Sequence, residues 1–208
     1  MTETPVRDAV SRPPFFRRLG QDVTAWFDSY AQAETISRRP PDRIDAIRII
    51  PFILVHASVI AVFWVGVSWV AVLTAVALYV LRMFAITGFY HRYFSHKSFK
   101  TSRAFQFIGA VLGNMSAQRG PLWWAAHHRH HHMHTDTAED IHSPRHHGFL
   151  WSHLLWFLTN RNYRTENERI QDFATYPELV FLDRFNFIAP IALILLLYAG
   201  GQVLAHIA

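Results

Sequence analysis

Long apolar blocks alternate with polar blocks along this chain of 208 residues. Residues 49–66 and 69–87 are nearly all apolar, with a Gly-Val-Ser turn at 66–68 between them, and a third apolar block covers residues 187–205. Because a helix needs about 20 residues to cross the hydrocarbon core of a bilayer, this pattern predicts a transmembrane hairpin followed by a third span. A buried hairpin in a soluble protein is the alternative.

The segments between these blocks predict the rest of the fold. Residues 105–117 and 148–158 are apolar but too short to cross a bilayer. We therefore interpret them as interfacial or core helices that pack under the histidines. Both belong to the histidine-rich region, residues 88–178. The fold class expected is all-α and integral to the membrane, with this region forming a helical cap on a membrane domain at 49–208.

The remaining segment, residues 1–48, is basic and contains eight arginines. Apolar residues recur among them at helical spacing from Phe15 to Phe27, which is typical of an interfacial amphipathic helix; a partly disordered tail is the alternative. The turn at 66–68 has no Lys or Arg, whereas both flanks of the hairpin are basic. The positive-inside rule then predicts a multi-pass protein with its N-terminus and histidine-rich region in the cytoplasm.

The formal charge of +5 comes mostly from arginines that flank apolar blocks. That placement favours membrane lipid over nucleic acid as the partner of the basic residues. We therefore expect no nucleic-acid binding.

Twelve of the 14 histidines lie between residues 91 and 153. An HxxxxH motif and an HxxHH motif place five of them at His91, His96, His128, His131 and His132. The HxxHH positions share one face of an α-helix. Residues five apart differ by about 140° on an α-helix, so we expect the helix to end between the two histidines of HxxxxH.

Such a density of imidazoles predicts a metal site. The chain has no cysteine, so nitrogen and oxygen must supply the ligands, and imidazole suits iron, zinc, copper and nickel alike. A fortuitous, tag-like nickel-binding run is the alternative interpretation of HHRHHHMH.

These motifs and their flanks resemble the membrane fatty acyl desaturases of the acyl-CoA desaturase type. The matching stretches are AITGFYHRYFSHKSFKTS from Ala85 and SAQRGPLWWAAHHRHHHMHTDTAEDIHSPRHHGFLWSHLLWFL from Ser116. The resemblance implies that the five histidines are ligands of two iron ions, and that Gln118 and Trp124 line an acyl tunnel. It also implies a reaction in which O2, with two electrons from a separate donor such as a ferredoxin or a cytochrome, removes two hydrogens from a long acyl chain.

The chain departs from the family pattern in two places. A third HxxHH box after a fourth span, and one more histidine before it, do not occur up to Ala208, so we expect a C-terminally truncated desaturase; HSPRHH at 142–147 is a candidate substitute. Ala126 and His127 stand where the animal enzymes carry an Arg-Asp pair that contacts CoA. The acyl carrier therefore stays open among CoA, acyl carrier protein and lipid. An inactive truncated remnant and a membrane histidine-box hydroxylase are the alternative functions.

Overall fold

The computed structural model describes residues 14–207, which are predominantly helical. Within that range the one strand-like pairing is an isolated antiparallel bridge between Ile44 and Thr159. The predicted all-α fold is thus confirmed for the described residues. The helices are α1 (Phe15–Phe27), α2 (Ala33–Ser37), α3 (Ile50–Val65), α4 (Trp69–Ser95), α5 (Arg103–Asn114), α6 (Pro121–His134), α7 (Pro144–His147), α8 (Gln171–Ala174), α9 (Pro177–Arg184) and α10 (Ile188–Ile207). A short π-helix at Trp151–Leu155 and 3-10 turns at Trp156–Leu158 and Asn167–Arg169 lie between α7 and α8, so most of the stretch predicted as helical at 148–158 is helical.

Two helices are long and apolar enough to cross a membrane. They are α4, with 27 residues and a mean hydropathy of 2.1, and the Ile188–Ala205 part of α10, with a mean hydropathy of 2.0. Few of their side chains are buried inside the protein, so they expose apolar surfaces along most of their length. The first predicted span is also helical and apolar, but α3 is shorter than either of these two.

The chain reverses between α3 and α4 at the turn that the sequence predicts. Gly66 has a φ of 75°, in the left-handed region where glycine meets no steric penalty. Two residues later, the side chain of Ser68 accepts a hydrogen bond of 3.2 Å from the amide of Ala71 and so caps the start of α4. The turn is therefore built from local sequence alone.

A core of aromatic and aliphatic side chains joins the end of α4 to α5, α6 and α9. Tyr90 and Phe94 on α4 are fully buried in it. Helix α5 can approach them because it carries glycine at the contact: a Cβ atom would lie 2.0 Å from the ring of Phe89 at Gly109, and 2.3 Å from the ring of Tyr90 at Gly113. This packing brings the end of α4, which carries HxxxxH, against α6, which carries HxxHH.

Part of the predicted basic segment, residues 1–13, lies outside the described residues. Helix α1 covers the whole stretch whose spacing predicts an amphipathic helix, Phe15–Phe27. It is joined to the segment before α3 by buried charges, since Arg39 binds the carboxylates of both Asp22 and Asp45. The position of this segment relative to a membrane stays a prediction at this point.

Candidate metal centre

Four of the five predicted ligands form one group between α4 and α6. Their candidate ligand nitrogens, on His91, His96, His128 and His132, all lie within 4.8 Å of one another. The Nε2 atoms are 3.1 Å apart in the pair on α4 and 3.0 Å apart in the pair on α6. Imidazole nitrogens bind an ion such as zinc at about 2.0–2.1 Å and then lie within roughly 4 Å of one another. The group is thus close to the size of a site for a single ion.

The pair on α4 is aligned by an unusual helix geometry. Residues 85–95 form a π-helix, in which backbone hydrogen bonds link residues five apart. The amide of His96 accordingly donates to the carbonyl of His91 at 3.1 Å. The sequence argument expected a helix end between these two residues. The helix does end at Ser95, but the π conformation is what places residues five apart on the same side.

The two histidine-bearing helices are connected by Arg129, which lies within the second motif. Its guanidinium donates to the carbonyl oxygens of Phe94 at 2.6 Å and Ser95 at 3.2 Å. These carbonyls belong to the last turn of α4 and lack a partner within their own helix. The same guanidinium pairs with Asp172 at 2.9 Å. Arg129 therefore holds α6 against the end of α4.

The start of α6 is held by a carboxylate from a distant part of the chain. Asp183 is buried and accepts a hydrogen bond of 2.7 Å from the amide of Trp123. Its other oxygen accepts from Thr165 at 2.6 Å and from Tyr30 at 3.0 Å. Gly120 permits this approach, because a Cβ atom there would lie 2.2 Å from the carboxylate. Sequence reasoning missed this contact, since 60 residues separate Asp183 from Trp123.

The fifth predicted ligand, His131, lies in a neighbouring group with Asp140 and His142. Its ring centroid is 5.4 Å from that of His132, but its Nδ1 bonds to the carboxylate of Asp140 at 2.9 Å. The ring also stacks on His142, with centroids 4.2 Å apart. Because Nδ1 is occupied, Nε2 is the ring nitrogen of His131 that remains for a metal, and a carboxylate behind a histidine ligand commonly fixes this choice.

Asp140 is the residue of this region that sequence reasoning did not single out. It is 1% exposed and also accepts from the backbone amides of His142 and Asp136. Burial works to raise the pKa of Asp140, but the bonds from His131 and from these amides outweigh it, and the pKa lies below its usual range. Asp140 is therefore a charged acceptor. Its place in the TDTAEDIH stretch, beside the second motif, was the only available signal.

The four-histidine group is electrostatically suited to a cation. Burial, followed by the proximity of the other imidazoles, lowers the pKa of His128 to about 3. The pKa of His132 is lowered by the same two causes. Histidine must be neutral to bind a metal, so both residues are in the ligand form at neutral pH.

The two predicted substrate-binding residues touch each other beside this group. Trp124 donates from Nε1 to Oε1 of Gln118 at 3.3 Å. The indole stacks on His128 with centroids 4.7 Å apart and meets His91 edge-on at 6.4 Å. Trp124 is therefore a wall of the four-histidine group. Its contact with an acyl chain, and that of Gln118, stay predictions.

The HSPRHH stretch does not supply further members of the four-histidine group among the described residues. His142 belongs with His131, while Nε2 of His146 lies 2.8 Å from the carbonyl oxygen of Asp136. His147 is exposed. The substitution of this stretch for a third box thus gains no support from the geometry.

The sequence-family comparison assigns residues 67–208, more than half of the chain, to the fatty acid desaturase family. The chain belongs to the fatty acid desaturase family. This confirms the resemblance found from the histidine motifs. Together with the long apolar helices, it indicates that this desaturase-family chain is a membrane protein.

Individual relatives cover smaller regions. The chain is 38% identical over 117 residues to an sn-2 palmitoyl-lipid 9-desaturase of Nostoc sp. (strain 36), covering 54% of this chain and 41% of that protein. It is 36% identical over 114 residues to an sn-1 stearoyl-lipid 9-desaturase of Anabaena variabilis, covering 54% and 42%. It is 40% identical over 72 residues to an acyl-CoA 5-desaturase of Anemone leveillei, covering 35% and 22%. The matched region is thus less than half the length of each relative.

Proposed function

We propose that this chain is an O2-dependent fatty acyl desaturase that inserts a double bond into a long acyl chain at a histidine-ligated di-iron centre. The observation that carries the proposal is the convergence of the two motifs on one group of four imidazoles. Neutral, all-nitrogen donors suit iron. The family membership and the desaturase activities named for the relatives support the same reaction.

The chain's own residues would hold the metal in two neighbouring places. The four-histidine group would hold one iron, and His131, with Nδ1 bonded to Asp140, would offer Nε2 to the second. Bound iron would supply the oxidising power with which O2, two electrons and two protons convert a –CH2–CH2– unit into –CH=CH– and two waters. The electrons would come from a separate donor, such as a ferredoxin or a cytochrome.

The protein's part in this reaction is to position the acyl chain and keep water away from the reacting carbons. Trp124 is suited to this role because its ring covers one side of His128 and its N–H is already bonded to Gln118. We place the acyl chain along this pair. A long apolar substrate reaches such a site from the bilayer, and the exposed apolar surface of α4 leads to the π-helix that carries the first motif.

A lipid-linked acyl chain is the substrate class that we favour. Ala126 and His127, at the positions where the animal enzymes contact CoA, are both buried, so neither is available to a soluble carrier. His127 is instead packed against Trp123 and Trp156. The names of the relatives from Nostoc sp. and Anabaena variabilis also specify acyl lipids.

We further propose that the N-terminal segment and both histidine motifs face the cytoplasm. The turn between α3 and α4 lacks basic residues, whereas arginines flank the other ends of these helices. The positive-inside rule assigns the ends that are rich in arginine to the cytoplasmic side. Protease protection in oriented membrane vesicles would test the orientation independently of activity.

The central experiment compares His128→Ala with His147→Ala, a matched variant outside both groups. Each protein is purified in detergent without a metal-affinity column, and iron per chain and fatty-acid products are measured. We expect about two irons per chain in the unaltered protein and in His147→Ala, the number that the family resemblance implies. His128→Ala should lose iron and abolish desaturation. Unchanged product formation in His128→Ala, or equal losses in both variants, would contradict the assignment of His128 as a ligand. A hydroxylated fatty acid as the product would mean that the reaction is hydroxylation and not desaturation.

A further inference from the structure

Helix α1 is built with its polar side toward the protein. The side chain of Asp22 is fully buried, and Arg18 beside it binds Asp45 at 2.6 Å. Arg39 completes this network from outside the helix. Buried ion pairs, together with a small apolar cluster of Ala25, Ile36 and Tyr163, thus attach α1 to the rest of the chain.

The apolar side of α1 points away from the protein. Phe16 is 82% exposed, Phe15 64% and Phe27 50%. At about 100° per residue, these side chains share one arc of the helix with the half-buried Leu19 and Val23. An amphipathic helix in a soluble domain buries this arc. Here the described residues cover the arc only in part, and Phe15 and Phe16 remain largely exposed.

A third arc of α1 is polar and exposed. It contains Arg17 and Thr24, which lie about 120–140° around the helix from the centre of the apolar arc. Helix α1 therefore presents three sides: one to the protein, one that is apolar and open, and one that is polar and open. A helix lying in the plane of a membrane interface meets these three environments.

The contacts of α1 place it at the ends of the apolar helices. Phe27 packs edge-on against Phe187, with centroids 5.3 Å apart, immediately before α10 begins. The partner of Arg18, Asp45, lies shortly before α3 begins at Ile50. The open apolar arc is thus continuous with the exposed apolar surface at the start of α10.

Exposed positive charge lies beside the open arc. Arg43 is exposed and lines a surface cavity together with Phe15. Arg17 follows the two exposed phenylalanines directly in the sequence and is also exposed. Lipid headgroups with negative charge complement such arginines, and acyl chains complement the phenylalanines.

We propose that α1 lies in the membrane interface, with its phenylalanines among the lipid acyl chains and its Arg17 side at the headgroups and water. This docking contributes to anchoring the histidine-rich cap to the bilayer surface. The proposal concerns membrane contact alone and does not depend on metal binding or catalysis.

The chain has no cysteine, so single cysteines can be labelled without background. The full chain is prepared as Phe15→Cys, Phe16→Cys and the control Thr24→Cys, spin-labelled, and reconstituted into phosphatidylcholine vesicles containing phosphatidylglycerol. Collisions of the label with O2, which concentrates in the bilayer, are compared with collisions with a water-soluble nickel chelate. We expect O2 to relax the labels at 15 and 16 more strongly than the chelate does, and the order to reverse at 24.

Two results would overturn the proposal. Labels at 15 and 16 that respond to the nickel chelate as the label at 24 does would place the arc in water. Labels at 15 and 16 that neither reagent reaches would show that protein covers the arc, either a second copy or another polypeptide segment. The two phenylalanine positions are independent, so one poorly folded variant leaves the other to decide.

Discussion

The two histidine motifs reach the same geometry through different helices. In α6, His128 and His132 are four residues apart on an α-helix, and their Nε2 atoms are 3.0 Å apart. At the end of α4, His91 lies in the π-helix and His96 directly follows its last residue; the two are five residues apart, and their Nε2 atoms are 3.1 Å apart. Motif spacing and helix type change together, so that the separation of the ligand atoms stays the same.

This comparison explains why HxxxxH and HxxHH are not interchangeable. A π-helix is rare because its wider turn is less favourable than an α-helix, and it often occurs at functional sites. Here the π segment is stabilised by burial: Tyr90 and Phe94 within it are both 0% exposed. Helix α6 needs no such support, because the spacing of four matches an ordinary α-helix.

The largest effect should come from a variant in which the histidine pair of α6 has the five-residue spacing of His91 and His96 but remains on an α-helix. Inserting one alanine between His131 and His132 would put His128 and His132 five residues apart, separating them by about 140° on an α-helix, with alanine at the position four residues after His128. We expect iron binding to fall to the level of the His128→Ala variant. An alanine inserted between Lys100 and Thr101, in the connection between α4 and α5, is the control. Retention of full iron content after the insertion in α6 would mean that this pair does not act as ligands.

Removing Arg129 should weaken the contact that brings the two motifs together. Arg129→Ala deletes charge-assisted hydrogen bonds to the carbonyls of Phe94 and Ser95 and the pair with Asp172. We expect the free energy of unfolding to fall by about 3 kcal/mol, since bonds to charged groups contribute about 1.5–3 kcal/mol each and are not additive. Thermal unfolding in detergent would measure this. Arg92→Ala, which removes an exposed arginine on α4, should change stability by about 0.5 kcal/mol or less.

Removing the negative charge of Asp140 should weaken metal binding at the group of His131, Asp140 and His142, and it should leave metal binding at the four-histidine group unchanged. Asp140→Asn keeps the size of the side chain but weakens the acceptor for Nδ1 of His131. We expect metal affinity at His131 to fall by about 10–100-fold, the usual effect of losing a carboxylate behind a histidine ligand. Iron titration should then resolve one tight and one weakened ion per chain. The exposed Glu139→Gln is the control, and equal affinities in all three proteins would exclude this role for Asp140.

The smallest effect concerns the pH dependence of the Arg129 contact. Burial works to raise the pKa of Asp172, but Arg129 and Lys97 outweigh it and hold this pKa below its usual range. The stabilisation is then present above the unfolded pKa, near 3.9, and is lost as the pH falls through the lower folded value. We expect the stability difference between the unaltered protein and Asp172→Asn to shrink below about pH 4. A difference that stays constant down to pH 2 would contradict the assigned ion pair.

Local patterns were sufficient for much of the fold. The turn at 66–68 followed from Gly66 and Ser68, and the long helices followed from runs of apolar residues. The short apolar stretch at 105–117 largely became α5, although its close approach to α4 depends on Gly109 and Gly113 meeting aromatic rings from another helix. The π-helix could not be predicted, because an apolar and aromatic stretch such as residues 85–95 does not by its composition favour π over α geometry.

What the sequence by itself determined was the family, the all-α architecture and the histidines brought to the candidate centre, because motif spacing and hydropathy are local properties. Only the tertiary structure separated His131 from the other four histidines and paired it with Asp140. It also showed that Asp183 holds the start of α6 and that Arg129 joins the two helices. These contacts depend on where distant segments come together in the folded chain, and that arrangement is decided by packing rather than by any local pattern.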